Sequence, residues 1–198
     1  MSDFSSLGVN NSIVKALNEL KITKPTDIQL KAIPLLLNEK TDFIGQAQTG
    51  TGKTAAFGIP IIQRINPKDK RIQALILCPT RELCQQNAKA LFKFTKFTDK
   101  IFIGAVYGGA DLQRQISALQ RPTQILVATP GRLMELMEKK IVDLSGIHHF
   151  VLDEADEILA MGFKKDIDKI LNKTNDFRKI WLFSARKWRR LPSPKHWR

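Results

Sequence analysis

Phe150-Val151-Leu152-Asp153-Glu154-Ala155-Asp156 decides how this chain is read. Three apolar residues run into a carboxylate pair, the pattern of a buried strand whose far end carries acids. Acids so placed can hold Mg²⁺ and set a water against a triphosphate. About a hundred residues upstream stands Ala47-Gln48-Thr49-Gly50-Thr51-Gly52-Lys53-Thr54. Walker-type loops read G-x-x-x-x-G-K-[ST], and here Ala47 takes the first position. Gly50 and Gly52 let the backbone curl so that successive N–H groups point inward at phosphate oxygens. The loop leads from a buried strand into a helix, whose N-terminal dipole adds attraction for anions. Lys53 is expected to reach the β- and γ-phosphates, and Thr54 to offer its hydroxyl to Mg²⁺. Asp153 is expected to hold Mg²⁺, partly through water, and Glu154 to orient or deprotonate the attacking water. The ordinary alternative for such acids is a solvated helix start; the loop upstream argues against it. Asp156 lies further along and is expected to bond a polar group on a neighbouring strand end, Ser184 being the candidate.

Outward from these stretches, short β-branched runs alternate with helical patterns. Strands are predicted over 42–45, 74–78, 101–106, 125–128, 150–152 and 180–183, and helices over 53–65, 81–94, 111–119, 132–139 and 164–172. Leu112, Ile116 and Leu119 form the stripe of a helix with one buried face. Such alternation predicts an α/β fold, a mostly parallel twisted sheet covered by helices on both faces. Residues 1–40 read as a helical preface to the same domain, with Ile13, Leu17 and Leu20 on one face and a second helix after Pro25-Thr26. Residues 41–186 form the nucleotide-binding body. From 187 to 198 the pattern breaks, with two tryptophans, two prolines and no acid. That tail reads as a disordered basic end or as residues that are not the natural continuation.

With 198 residues, 43% hydrophobic and 26% charged, the chain suits one globular domain with a sizeable core. No apolar stretch approaches the roughly 20 residues a bilayer span requires, and Met1 to Asn10 lacks a secretory pattern. Cys78 and Cys84 have no metal-ligand spacing and read as reduced thiols of a cytoplasmic protein. The net charge of +13 suggests a polyanionic partner. Arg186, Lys187, Arg189, Arg190, Lys195 and Arg198 supply part of it, and without them about +7 remains.

Further segments resemble the motifs of the DEAD-box RNA helicases. Pro25-Thr26-Asp27-Ile28-Gln29 resembles the Q motif, with Phe4 at the usual distance upstream. Pro79-Thr80-Arg81-Glu82-Leu83 resembles motif Ia, Gly108-Gly109 the GG motif, and Thr129-Pro130-Gly131-Arg132 motif Ib. Asp153 to Asp156 is similar to motif II, followed by Met161-Gly162-Phe163. The resemblance covers roughly residues 4 to 185. It implies the first RecA-like domain of an ATP-dependent RNA helicase, a three-layer P-loop NTPase fold. Gln29 would read adenine, with Phe4, Ile22 and Thr26 beside the nucleotide and the run from Gln48 to Thr54 around its phosphates. Pro79, Thr80, Arg81, Gly108, Gly109, Thr129, Pro130, Gly131 and Arg132 would hold the RNA backbone without reading sequence. Asp156 and Ser184 would couple hydrolysis to RNA.

Three positions depart from the family's spelling. Lys21-Ile22 replaces Gly followed by an aromatic, Cys84 stands where Ala is frequent, and Ser184-Ala185-Arg186 replaces Ser-Ala-Thr. The resemblance also implies a second RecA-like domain with an arginine finger, which nothing in residues 187–198 resembles. The chain alone is therefore expected to bind nucleotide as a monomer and turn it over very slowly. The competing readings are a non-catalytic RNA- or nucleotide-binding module and another P-loop NTPase, such as a GTPase. Intact Lys53, Asp153 and Glu154 favour catalytic ancestry over the first, and Gln29 disfavours the second.

Overall fold

The computed structural model describes residues 3–38 and 41–185. Arg186, the residue that departs from the Ser-Ala-Thr spelling, and the tail 187–198 lie outside the described residues. Strands β1 (Phe43–Gln46), β2 (Ala74–Leu77), β3 (Ile103–Val106), β4 (Ile125–Ala128), β5 (His149–Leu152) and β6 (Lys179–Ser184) form one sheet. Its order is β1-β6-β5-β2-β4-β3, and every neighbouring pair is parallel. All the carboxyl ends therefore lie along one rim. Loops at that rim carry ligand sites in open parallel sheets.

The alternation of side chains along each strand divides the core in two. Ala74, Ile76, Ile125, Val127, Val151, Trp181 and Phe183 face one side. There they meet α1 (Asn11–Glu19), α2 (Asp27–Asn38), α3 (Lys53–Arg64) and α4 (Arg81–Phe94). Leu75, Leu77, Leu126, Phe150, Leu152, Ile180 and Leu182 face the other. They are covered by α5 (Leu112–Leu119), α6 (Pro130–Glu138), α7 (Ala155–Ala160) and α8 (Lys164–Leu171). Strands buried on both faces explain the continuous apolar runs. Gly58 lets α3 and α4 approach closely, since a Cβ there would lie 2.5 Å from Leu91 Cδ2.

Element boundaries follow the expectations within a few residues, with local causes where they move. Helix α6 begins at Pro130, because proline suits the first helical position. The short helix α7 was not among the predicted helices; its six residues give too little periodicity to register. At the end of α1, Lys21 takes a left-handed conformation, φ 59°, while Ile22 N–H bonds Leu17 O at 2.9 Å. That is the helix-closing turn in which glycine costs least, so Lys21 fills a glycine-type position with a side chain.

Candidate functional site

The loop from Ala47 to Gly52 leaves the carboxyl end of β1 and enters α3 with Lys53, while Asp153 and Glu154 leave β5 two strands away. Lys53 Nζ donates to Glu154 Oε1 at 2.6 Å, and Thr49 Oγ1 donates to the same oxygen at 2.8 Å. Lys53, Asp153 and Glu154 are buried, with exposures of 5%, 4% and 6%. Two charges can be kept out of water only when paired and hydrogen-bonded. Glu154 itself sits at φ 51°, ψ 51°, a left-handed conformation uncommon outside glycine. This strained turn caps α7, and the carboxylate it carries reaches the phosphate loop. Burial holds the Asp153 carboxyl above the usual carboxylate range, opposed by the hydrogen bond from Asn87 and the charge of Lys53.

Asn87 is a site residue that the sequence reading missed. Its Nδ2 donates to Asp153 Oδ2 at 2.8 Å, and its Oδ1 accepts from Thr54 Oγ1 at 2.6 Å. The available signal was a polar residue within the buried stripe of α4, between Cys84 and Leu91. Both cysteines are free and buried, and burial pushes the Cys84 thiol up to about 12 and that of Cys78 well above its ordinary value.

The preface is tied to the phosphate loop. Gln29 Nε2 donates to Gly52 O at 3.0 Å, its Oε1 accepts from Thr26 N–H at 3.0 Å, and Thr26 Oγ1 donates to Thr51 O at 2.8 Å. Gly52 has φ 91°, and a Cβ there would collide with the Gln29 amide, so glycine is required twice over. Each end of the amide keeps one further hydrogen-bonding position. Ile22 is half-buried against the core. Phe4 departs from the expectation: at 2% exposure its ring is core, where it helps seat the preface, and presents no face to a ligand.

The other half of the rim, after β2, β4 and β3, gathers the remaining segments. Thr80 caps α4, its Oγ1 accepting from Leu83 N–H at 3.3 Å. Arg81 is exposed; its guanidinium lies 5.1 Å from the Tyr107 ring centroid and donates to Gly109 O at 3.0 Å. Tyr107 was a second omission of the sequence reading, with no local signal beyond its place before Gly108. Arg132 Nη2 donates to Ala110 O at 3.1 Å and its Nε pairs with Glu135 at 3.1 Å, leaving Nη1 without a hydrogen bond among the described residues. Pro79, Arg81, Gly108, Thr129, Pro130, Gly131 and Arg132 line one open depression of about 390 Å³. Ser184 is buried at the end of β6, in register with Gln46, and its carbonyl accepts from Ala47 N–H at 2.9 Å. Asp156 lies in the first turn of α7, a helix packed against β6.

The donor set suits a magnesium nucleotide. Gly50, at φ 84°, is open, with nothing within 4 Å of the position a Cβ would take. Among the described residues no group of three or more His, Cys, Asp and Glu could hold a metal ion by itself. A cation beside Asp153 and Thr54 would thus draw most of its ligands from phosphate and water, which is how Mg²⁺ usually binds. Among the described residues no helix is long and apolar enough to cross a membrane.

Comparison with known proteins agrees with this geometry. The DEAD/DEAH box helicase family matches residues 26–186. The chain is 49% identical over 183 residues to the ATP-dependent RNA helicase CshA of Limosilactobacillus reuteri, covering 92% of this chain and 36% of that protein. It is 48% identical over 184 residues to the RNA helicase CrhR of Synechocystis, covering 93% of this chain and 37% of the relative. It therefore spans about a third of the length of these relatives. A crystal structure of a DEAD box protein from Methanococcus jannaschii superposes with a TM-score of 0.87 at 43% identity, over 93% of this chain and 50% of that one. A variant of S. cerevisiae Dbp5 bound to RNA and ADP BeF3 superposes with a TM-score of 0.85 at 35% identity, over 94% and 47%. With its RecA-like sheet and its motifs in the family's order, the chain belongs to the DEAD/DEAH box helicase family.

Proposed function

We propose that this chain is the ATP-binding domain of an RNA helicase, which couples ATP hydrolysis to local parting of RNA duplexes or remodelling of RNA–protein complexes together with a second RecA-like domain. The observation that carries this reading is the convergence of Lys53, Thr54, Asp153 and Glu154, distant in sequence, at one rim of the sheet. The backbone N–H groups from Gln48 to Thr54 and the start of α3 cradle the phosphates, and Lys53 contacts the β- and γ-phosphates. Thr54 and Asp153 would hold Mg²⁺, which when bound would supply positive charge beside the phosphate oxygens. Phosphate entry draws Lys53 away from Glu154. The freed carboxylate then orients the attacking water and accepts its proton.

Gln29 reads the adenine edge with its remaining N–H and lone pair, with Thr26 and Ile22 beside it. Phe4 supports this region from the core. Pro79, Thr80, Arg81, Gly108, Gly109, Thr129, Pro130, Gly131 and Arg132 bind the RNA backbone, chiefly by charge and free N–H groups. Asp156 and Ser184 transmit the state of the nucleotide side to the rest of the rim. The isolated chain binds nucleotide as a monomer and hydrolyses it slowly, because an arginine finger contributes about 10³ to 10⁵ in rate for such NTPases.

Calorimetric titration with Mg·ADP and Mg·GDP, with Lys53→Ala as control, tests the reading. Selective ADP binding, weakened at least about tenfold in the variant, is expected, since a phosphate-paired charge contributes about 1.5 to 3 kcal/mol. Absence of binding to either nucleotide would favour a non-catalytic binding module. Equal binding of GDP would remove the adenine role of Gln29.

A further inference from the structure

Asn87 lies on α4, the helix that begins with Arg81 at the RNA half of the rim, yet its amide ends in the nucleotide half. It is 2% exposed, on the stripe otherwise made of Cys84, Leu91 and Phe94. A buried carboxamide among apolar neighbours requires a reason, because polar groups without partners cost stability there. Besides Cys78 Sγ, its partners are two residues read above as cation ligands: Thr54, on α3, and Asp153, after β5.

The geometry gives the hydrogen bonds one sense: Asn87 turns its Nδ2 toward Asp153 Oδ2 at 2.8 Å, the orientation that an Asp153 carboxylate bound to a cation requires. Its Oδ1 then faces Thr54, whose hydroxyl must donate, at 2.6 Å. A hydroxyl that has given its hydrogen to Asn87 keeps its lone pairs for a cation. The Asp153 carboxylate is held at both oxygens, Oδ2 by Asn87 and Oδ1 by the Glu154 N–H at 3.1 Å. Cys78 Sγ lies 3.3 Å from Asn87 Nδ2 and steadies the amide from behind.

We propose that Asn87 is a positioning residue for the divalent cation of the bound nucleotide, one planar amide setting the Thr54 hydroxyl and the Asp153 carboxylate toward a common point. This rests on reading the rim as a magnesium-nucleotide site. Groups that orient metal ligands typically change metal affinity by about 10- to 100-fold when removed. A purely structural amide would instead change folding stability and leave the gain from Mg²⁺ intact.

The test is calorimetric titration of ADP, in Mg²⁺ and separately in EDTA, on the unaltered chain, Asn87→Leu and Asn87→Ala. Thermal melts report folding in parallel. The leucine fills the space and excludes water, whereas the alanine leaves room for a water between Thr54 and Asp153. Expected is unchanged ADP affinity in EDTA for both variants, a gain from Mg²⁺ at least about tenfold smaller for Asn87→Leu, and an intermediate gain for Asn87→Ala. Should Asn87→Leu fail to fold, the reduced gain in Asn87→Ala carries the same comparison. An undiminished gain in whichever variant folds would overturn the proposal, and so would a loss equal in Mg²⁺ and in EDTA. Failure of the nucleotide reading itself would show in the unaltered chain, as ADP binding that is absent or indifferent to Mg²⁺.

Discussion

The two ends of the sheet treat buried polar groups in opposite ways. At the carboxyl ends of β1 and β5, the buried side chains Lys53, Asp153 and Glu154 are ionisable and bonded to other side chains. At the amino ends, Gln73, Gln124 and His149 are buried without charge. Gln73 accepts from Asn66 N–H and donates to the carbonyls of Asn66 and Asp69 at 2.8 and 3.0 Å. Gln124 accepts from Phe102 N–H and donates to Asp69 O. The His149 ring meets Trp181 edge-on, with centroids 5.1 Å apart. Main-chain partners of this kind are permanent, and they close loops onto the sheet. Side-chain ion pairs can exchange partners when a ligand arrives. One end therefore contributes stability, and the other keeps groups ready for exchange at a cost in strain, as at Glu154.

The largest expected effect probes the stable end. Burial lowers the His149 pKa from 6.5 to about 3. The unfolded chain consequently takes up a proton first as pH falls. The neutral ring's contribution is complete above about pH 6.5 and is lost progressively toward about pH 3. His149→Phe should remove that loss, on the order of 5 kcal/mol across the whole window, and urea melts from neutral pH down through the window would show it as a flatter profile. An unchanged profile would mean that His149 is not held neutral by burial.

At the exchanging end, Lys53→Ala leaves Glu154 buried without its partner ion and should lower stability by about 3 kcal/mol. Lys53→Met combined with Glu154→Gln should restore the stability while nucleotide binding stays lost. If the double variant is as unstable as the single one, the pair supports the fold and the contrast between the ends fails. Gln73→Ala should destabilise by about 2 kcal/mol, because it strips partners from the turn at Asn66 and Asp69, with ADP affinity unchanged by titration. A fall in affinity would show that the two ends are coupled. The smallest effect concerns the preface: Lys21→Gly should raise the melting stability by about 0.5 to 1 kcal/mol by relieving a left-handed lysine. A decrease would mean that the Lys21 side chain contributes more than its backbone strain costs.

Much of this protein was legible in the chain because burial and period are local properties. The runs read as strands over 42–45, 74–78, 125–128 and 150–152 fall within one residue of the observed β1, β2, β4 and β5, and the interval from Arg81 to Phe94 was read as a helix with its observed ends. The glycine loop and the acids after β5 marked the rim for the same reason: each is written within a few consecutive residues. The tertiary structure alone decided which strand lies beside which. Inserting β6 between β1 and β5 brings Ser184 into register with Gln46. The long-range packing of sheet and helices joins Lys53 to Glu154 across 101 positions and sets Asn87 between Thr54 and Asp153. It also sent Phe4 into the core. Such choices depend on how whole faces fill space and on which distant charges can satisfy one another once water is excluded, and no local stretch of sequence contains that information.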